Sequence, residues 1–156
     1  MKTELILVGK TTDRNCQQGI DDYVGRIGHY MPFTLTTIPA LKNTRNITEE
    51  QQKQAEGQQI LSHVTQADCV VLLDERGQER RSLEFAQWLE RKQQEGRRLV
   101  FVIGGPYGFS KEVYARANES ISLSKMTFSH QMVRLIFTEQ LYRACTIIKG
   151  ESYHHE

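Results

Sequence analysis

The sequence predicts an α/β sandwich with a largely parallel sheet. Short apolar, β-prone runs alternate along the chain with longer segments of helical periodicity, the order that builds parallel strands joined by helical crossovers. The run Leu99-Val100-Phe101-Val102-Ile103 is apolar without a break, as expected of a strand covered on both faces. At 156 residues, 38% hydrophobic and 25% charged, with no linker, repeat or low-complexity segment, the chain reads as a single domain spanning 1–156.

Leu5-Ile6-Leu7-Val8 is the first strand, ended by Gly9. Cys16, Ile20, Tyr23, Val24 and Ile27 then recur at helical spacing, which predicts an amphipathic helix from about Asp13 to Gly28. Phe33 to Ile38 alternates as a half-buried strand and stops at Pro39, and a polar, mildly basic loop follows from Leu41 to Asn46. Thr48 and Gln51 form a capping box that opens a helix to about Val64. Its apolar face (Ala55, Ile60, Leu61, Val64) is thin, so the helix should be mostly exposed.

Cys69 to Leu73 is a third strand closing on Asp74-Glu75-Arg76-Gly77, and Ser82 is the expected N-cap of a helix carrying Phe85, Ala86, Trp88 and Leu89 up to Gly96. The Leu99–Ile103 strand is broken by Gly104-Gly105-Pro106-Tyr107-Gly108, and Ser110 caps a helix from Lys111. A short strand, Ser120 to Leu123, precedes the longest helix, from His130 to about Lys149 with Gly150 as its stop. Met132, Val133, Leu135, Ile136, Phe137, Leu141, Tyr142, Ala144, Ile147 and Ile148 cover most of that helix's circumference. A helix this apolar must be buried on several sides, and the reading is that part of it meets a second protomer in an isologous homodimer.

The composition excludes several classes. A net charge of +1 leaves any nucleic-acid attraction to local patches. Cys16, Cys69 and Cys145 are far apart with no CxxC pair, which argues against a metal site or a disulfide framework and for a reducing compartment. The first apolar run is too short for a signal segment and none approaches a membrane span, so a cytoplasmic protein without membrane contact is expected. GxxxxGK[ST], GxSxG and HExxH are absent, and Val8-Gly9-Lys10-Thr11 stands where a dinucleotide fold would carry GxGxxG.

Three loops, each following a strand, remain for chemistry: Leu73 to Gly77, Gly104 to Gly108, and Leu123 to Phe128. Ligands of open α/β sheets bind outside the carboxyl ends of the strands, so the three can share one pocket. Their backbone amides, carbonyls and apolar side chains suit an adenosine with a sulfonium tail better than a triphosphate. The glycine loop by itself is equally compatible with a plain βα turn.

Ile103-Gly104-Gly105-Pro106-Tyr107-Gly108 resembles the IGGPxG motif of SPOUT RNA methyltransferases. Leu123 to His130 is similar to their LSxxTxxH segment. Thr138-Glu139-Gln140-Leu141-Tyr142-Arg143-Ala144 and the tail Tyr153-His154-His155-Glu156 resemble signatures of one SPOUT family, the RlmH (YbeA-like) large-subunit rRNA pseudouridine-N3-methyltransferases. The resemblance spans essentially the whole chain and includes Met31-Pro32-Phe33. It implies a C-terminal trefoil knot, against the general rarity of knots, and a homodimer in which the partner's tail completes the site.

It also implies S-adenosyl-L-methionine as methyl donor, held by Leu73, Gly104, Gly105, Leu123, Ser124, Lys125, Met126, Thr127 and Phe128. His130, Glu139, Arg143, Tyr153 and His154 match positions of catalysis or substrate binding, and the substrate would be ribosomal RNA, within an assembled ribosome. His154 is the first candidate for the base that frees the ring nitrogen, with His130 and Glu156 behind it. One departure stands out: His155 replaces the usual tail arginine. A histidine is only partly charged near neutral pH, so a phosphate contact there should weaken as pH rises.

Blander readings stand beside these. Terminal residues such as His154 and His155 are often merely disordered. Glu139 and Arg143 form a helical i, i+4 pair, His130 could simply cap its helix, and the mixed run Glu75 to Arg81 could be a solvated loop rather than a phosphate contact through Arg76, Arg80 and Arg81. Tyr107 could stack on a base or only cover the sheet edge. Two other functions fit the same residues: a ribosome-binding or assembly protein that holds the cofactor without turnover, and an enzyme of a small adenosine-containing metabolite.

Overall fold

In the computed structural model, residues 2–155 are described. The strands β1 (Thr3–Val8), β2 (Phe33–Ile38), β3 (Cys69–Glu79), β4 (Leu99–Ile103) and β5 (Glu119–Ser122) form one sheet in the order β2-β1-β4-β3-β5. Every neighbouring pair is parallel. Between them run α1 (Arg14–Ile27), α2 (Glu49–Ser62), α3 (Ser82–Glu95) and α4 (Lys111–Arg116), and α5 (His130–Ile148) closes the chain.

The two sheet faces carry separate cores. Leu5, Leu7, Val71, Phe101 and Ile103 point to the side of α1, α3 and α5, where they meet Phe85, Trp88, Phe137 and Leu141. Ile6, Val70, Leu72, Val100 and Val102 point the other way, onto Ile60 of α2 and Val113 of α4. Every residue of β1 and β4 is buried, which is why the Leu99–Ile103 run is apolar throughout rather than alternating. The ring of Phe101 lies 4.9 Å from that of Phe137, joining the sheet directly to α5.

Three local differences from the sequence reading have physical causes. The strand expected to end at Leu73 continues to Glu79: Leu73 and Gln78 both pair with Ile121, so residues 74–77 leave the ladder and return to it. Gly77 permits the return, because a Cβ there would lie 2.7 Å from the Ile121 backbone nitrogen. The N-cap of α3 is Arg81, whose backbone N–H donates to Glu84 at 2.8 Å, while Ser82 Oγ donates to Gln140 at 2.8 Å and ties α3 to α5.

The third difference lies in the buried polar groups. Expected to be mostly exposed, α2 is instead largely half-buried or buried, and its buried set includes Glu56 and Gly57 beside Ile60. In α5 the buried set includes Arg134, Thr138 and Thr146. Arg134 is 0% exposed; its Nη1 donates to the Gly9 carbonyl at 2.9 Å and to Thr11 Oγ1 at 2.8 Å, and its Nη2 to the Val8 carbonyl at 2.7 Å. This fork ties α5 to the end of β1 and to the turn that follows it. Ser129, not His130, caps the helix, accepting from Met132 N at 3.1 Å.

Candidate active site

A cavity of about 720 Å³ opens at the carboxyl ends of β3, β4 and β5. Parallel pairing places Leu73 beside Ile103 and beside Ile121, so the loops after these strands leave the sheet at one level. Leu73, Gly104, Gly105, Leu123, Ser124, Met126, Thr127, Phe128 and His130 all line the cavity. The expected three-loop pocket is therefore present within one chain.

The glycine loop is a tight turn. Gly108 N–H donates to the Gly105 carbonyl at 3.2 Å with Pro106 at the corner, and Gly108 takes φ +85°, a left-handed conformation that suits glycine. Gly104 rests on the ring of Phe109, where a Cβ would come within 2.9 Å. In the third loop, Ser124 Oγ accepts from Met126 N–H at 2.9 Å, and Thr127 Oγ1 donates to Glu75 at 3.3 Å, bridging to the first loop. Lys125 is exposed and does not line the cavity, whereas Ser124 and Met126 do.

The rim is mixed in charge. Glu50, Asp74 and Glu75 line it together with Lys53, Arg76, Lys111 and His130. The Tyr114 hydroxyl donates to Asp74; burial, followed by this bond, pushes its pKa up. Apolar residues, among them Leu73, Ile103, Leu123 and Phe128, line the same cavity as these carboxylates and cations. The wall contributed by α2 and α4 (Glu50, Lys53, Lys111, Tyr114) was not anticipated from sequence. Its only signal there was the i, i+3 spacing of Glu50 and Lys53.

A second constellation sits on α5 and the tail. Glu139 Oε2 accepts from Arg143 Nη2 at 2.9 Å and from Tyr153 Oη at 2.7 Å. Arg143 Nη1 meets His154 Nδ1 at 3.0 Å, and its guanidinium lies 4.8 Å from the centre of the Tyr153 ring. Burial, and then the bond to Glu139, push the Tyr153 hydroxyl well above its ordinary pKa. The structure thus brings Glu139, Arg143, Tyr153 and His154 together, so the tail is tied down as far as His154. None of the four lines the cavity of the same chain.

Of the candidate arginines Arg76, Arg80 and Arg81, Arg76 lines the cavity. Arg80 is turned away from it: its guanidinium lies 5.5 Å from the Trp88 ring centre and 3.7 Å from Glu119. Its guanidinium is thus engaged by Trp88 and Glu119 rather than by the cavity. Tyr107 is 45% exposed on the rim and His155 is exposed, while Glu156 lies outside the described residues. Among the described residues there is no group of side chains arranged to hold a metal and no helix long and apolar enough to cross a membrane.

The fold and the glycine-loop pocket define an α/β protein built to hold a small ligand at the carboxyl edge of its sheet. The family described as predicted SPOUT methyltransferases matches residues 1–154, and the chain belongs to that family. It is 56% identical over 157 aligned residues to the ribosomal RNA large subunit methyltransferase H of Bacteroides fragilis, covering 100% of each chain. Its identity to the proteins of the same name from Phocaeicola vulgatus and Flavobacterium psychrophilum is 56% and 52%, again over 100% of each chain. Among solved structures, the SpoU methyltransferase AviRb of Streptomyces viridochromogenes, in complex with AdoMet, aligns with a TM-score of 0.48 at 10% identity. That alignment covers 96% of this chain and 58% of the other, a likeness too distant to carry weight.

Proposed function

We propose that this chain transfers a methyl group from S-adenosyl-L-methionine to the N3 position of a pseudouridine in large-subunit ribosomal RNA, as a cytoplasmic, knotted homodimer. The observation that carries the reading is the separation of two parts. One chain holds a glycine-walled pocket, and its Glu139-Arg143-Tyr153-His154 cluster stands outside that pocket. A second copy, seated so that its tail meets the first copy's pocket, would unite them. The names of the full-length relatives support the rRNA substrate.

Bound in the cavity, the cofactor would supply a methyl group on a sulfonium. Leu73, Gly104, Gly105, Leu123, Ser124 and Met126 to Phe128 would hold it, backbone against adenosine, with the carboxylates of the rim facing its positive charge. The imide nitrogen of the substrate must lose a proton before it is nucleophilic, and a base in reach contributes ~100- to 10,000-fold. His154 is assigned to that step, with His130, already on the cavity wall, behind it. Glu139, Arg143 and Tyr153 orient the tail and the base being methylated, and orientation supplies much of the remaining acceleration.

The test is methyl transfer from labelled cofactor to ribosomes from a strain lacking the gene, with mass-spectrometric mapping of the product. Label on one pseudouridine of the large-subunit RNA is expected. Cofactor binding without transfer would instead make this an assembly protein, and activity on a small adenosine-containing metabolite without RNA would make it a metabolic enzyme. Running the reaction on naked RNA and on whole ribosomes tests the expectation that the assembled particle is preferred.

A further inference from the structure

Behind the glycine loop lies a carboxyl group that the proposed reaction does not use. Glu56 of α2 is 5% exposed. Its Oε2 accepts from Gln52 Nε2 at 3.2 Å, and its Oε1 is buried without a hydrogen-bond partner. The carboxyl is pressed against Gly105: a Cβ built there would lie 2.7 Å from Oε1 and 2.9 Å from Oε2, so a glycine Cα–H faces both oxygens. The next residue, Gly57, packs in the same way against Ser110 Oγ, at 2.5 Å from its own virtual Cβ. Glu56 and Gly57 therefore grip the loop at Gly105 and at Ser110, while Glu50 and Lys53 of the same helix reach its cavity side.

We propose that Glu56 is a positioning residue for the cofactor: its buried carboxyl is the seat of Gly105, and ionising it unseats the glycine loop and weakens ligand binding. A carboxylate left in this place would be a buried charge with one amide donor, so burial favours the neutral form. Burial accordingly pushes the Glu56 pKa up, and the Gln52 bond only partly opposes it. The groups facing it are Gln52 from its own helix and Gly105 from the loop; Ser110 and Val113 stand beside Gly57, and none of these is charged. Lys53, one turn back, is paired with Glu50 at 3.2 Å. The protonated form is the one that seats Gly105, so affinity falls as pH rises through the raised value.

This inference rests on the cavity being the S-adenosyl-L-methionine site. The experiment is calorimetric titration of the purified protein and of Glu56→Gln with that cofactor and with uncharged-sulfur S-adenosylhomocysteine, from mildly acidic to alkaline pH. Other ionisable side chains line the cavity, so the readout is the difference between the two proteins. Wild-type affinity should fall by up to about tenfold per pH unit above the Glu56 transition. Glu56→Gln, which cannot ionise, should keep the acidic-side affinity and lose that component for both ligands. Identical pH profiles overturn the proposal, as does tighter binding of the cofactor alone at high pH, which would make Glu56 a counter-charge instead. Absence of binding by the wild type at every pH overturns the reading of the cavity itself.

A second cycle covers poor folding of Glu56→Gln. Gly105→Ala should weaken binding at least about tenfold by driving its methyl into the carboxyl, and the double variant Glu56→Ala/Gly105→Ala, with that space emptied, should recover most of it. Additive losses overturn the seat.

Discussion

Arg143 donates from Nη1 to Nδ1 of His154 at 3.0 Å. A guanidinium only donates, so Nδ1 accepts and the neutral ring carries its proton on Nε2. For His154 to serve as the proposed base, Nδ1 must first be released from Arg143. His154→Ala should lower the single-turnover rate of methyl transfer by about 100-fold or more. Arg143→Lys should also slow it, since an ammonium cannot hold Glu139 and His154 in one planar fork. A full rate in His154→Ala would move proton removal to another group, His130 first.

If the tail serves the partner's pocket, two inactive proteins should restore each other. His154→Ala loses the tail function, and Gly104→Leu loses the pocket, because its side chain must enter the space of the Phe109 ring. Mixed and re-equilibrated, they should regain measurable transfer through heterodimers that hold one intact pair of parts. No recovery, with exchange confirmed by mass, would place pocket and tail in the same chain.

Arg134 holds three acceptors at the end of β1 from inside the core. Arg134→Met should leave those groups buried and unpaired and cost at least about 2 kcal/mol. For a chain of this size that is a fall in melting temperature of roughly 4–8 °C. Arg134→Lys should recover only part of it. Unchanged thermal unfolding of Arg134→Met would mean that water reaches these carbonyls.

Two glycines should answer differently to the same change. At Gly77 an alanine methyl meets backbone atoms of Ser120 and Ile121 at 2.7 Å, and backbone cannot move aside cheaply. Gly77→Ala should cost about 1–3 kcal/mol and disturb both the Leu73 and the Leu123 loop. At Gly19 the obstacle is Leu135 Cδ1, at 2.5 Å, the far end of a rotatable side chain. Gly19→Ala should be neutral or stabilising by up to about 1 kcal/mol through helix propensity. Denaturant midpoints in the reverse order would reject this reading of the two contacts.

Glu119 anchors the start of β5, accepting from Trp88 Nε1 at 2.9 Å and pairing with Lys92. Burial raises its pKa, but the bonds from Lys92 and Trp88 together outweigh it, and the net shift is downward. A lowered folded-state value means that this contribution is present above the unfolded value, ~4.3, and is lost as pH falls through the folded one. The difference in urea midpoint between the wild type and Glu119→Gln should therefore be largest at neutral pH and shrink toward pH 3. A constant difference would remove the carboxylate's charge from the account.

The sequence by itself determined the alternation of elements, the unbroken apolar run of β4, the caps at Thr48 and Ser110, and the three loops that line one cavity. These are local signals, set by periodicity, by proline and glycine, and by a hydroxyl three residues ahead of an amide. Glu56, Arg134 and Gly77 were beyond its reach. In sequence Glu56 is one more charge on a thinly apolar helix, and Arg134 interrupts an apolar face with no partner nearby. Their partners, Gly105 and the Val8–Thr11 turn, are 49 and more than 120 residues away along the chain. Only the tertiary structure brings such groups into contact, because a buried polar atom is satisfied by whatever the fold sets against it and not by its neighbours in the chain. The same holds for the tail, where chemistry-bearing residues legible in sequence gather around Glu139 but stand apart from the pocket of their own chain.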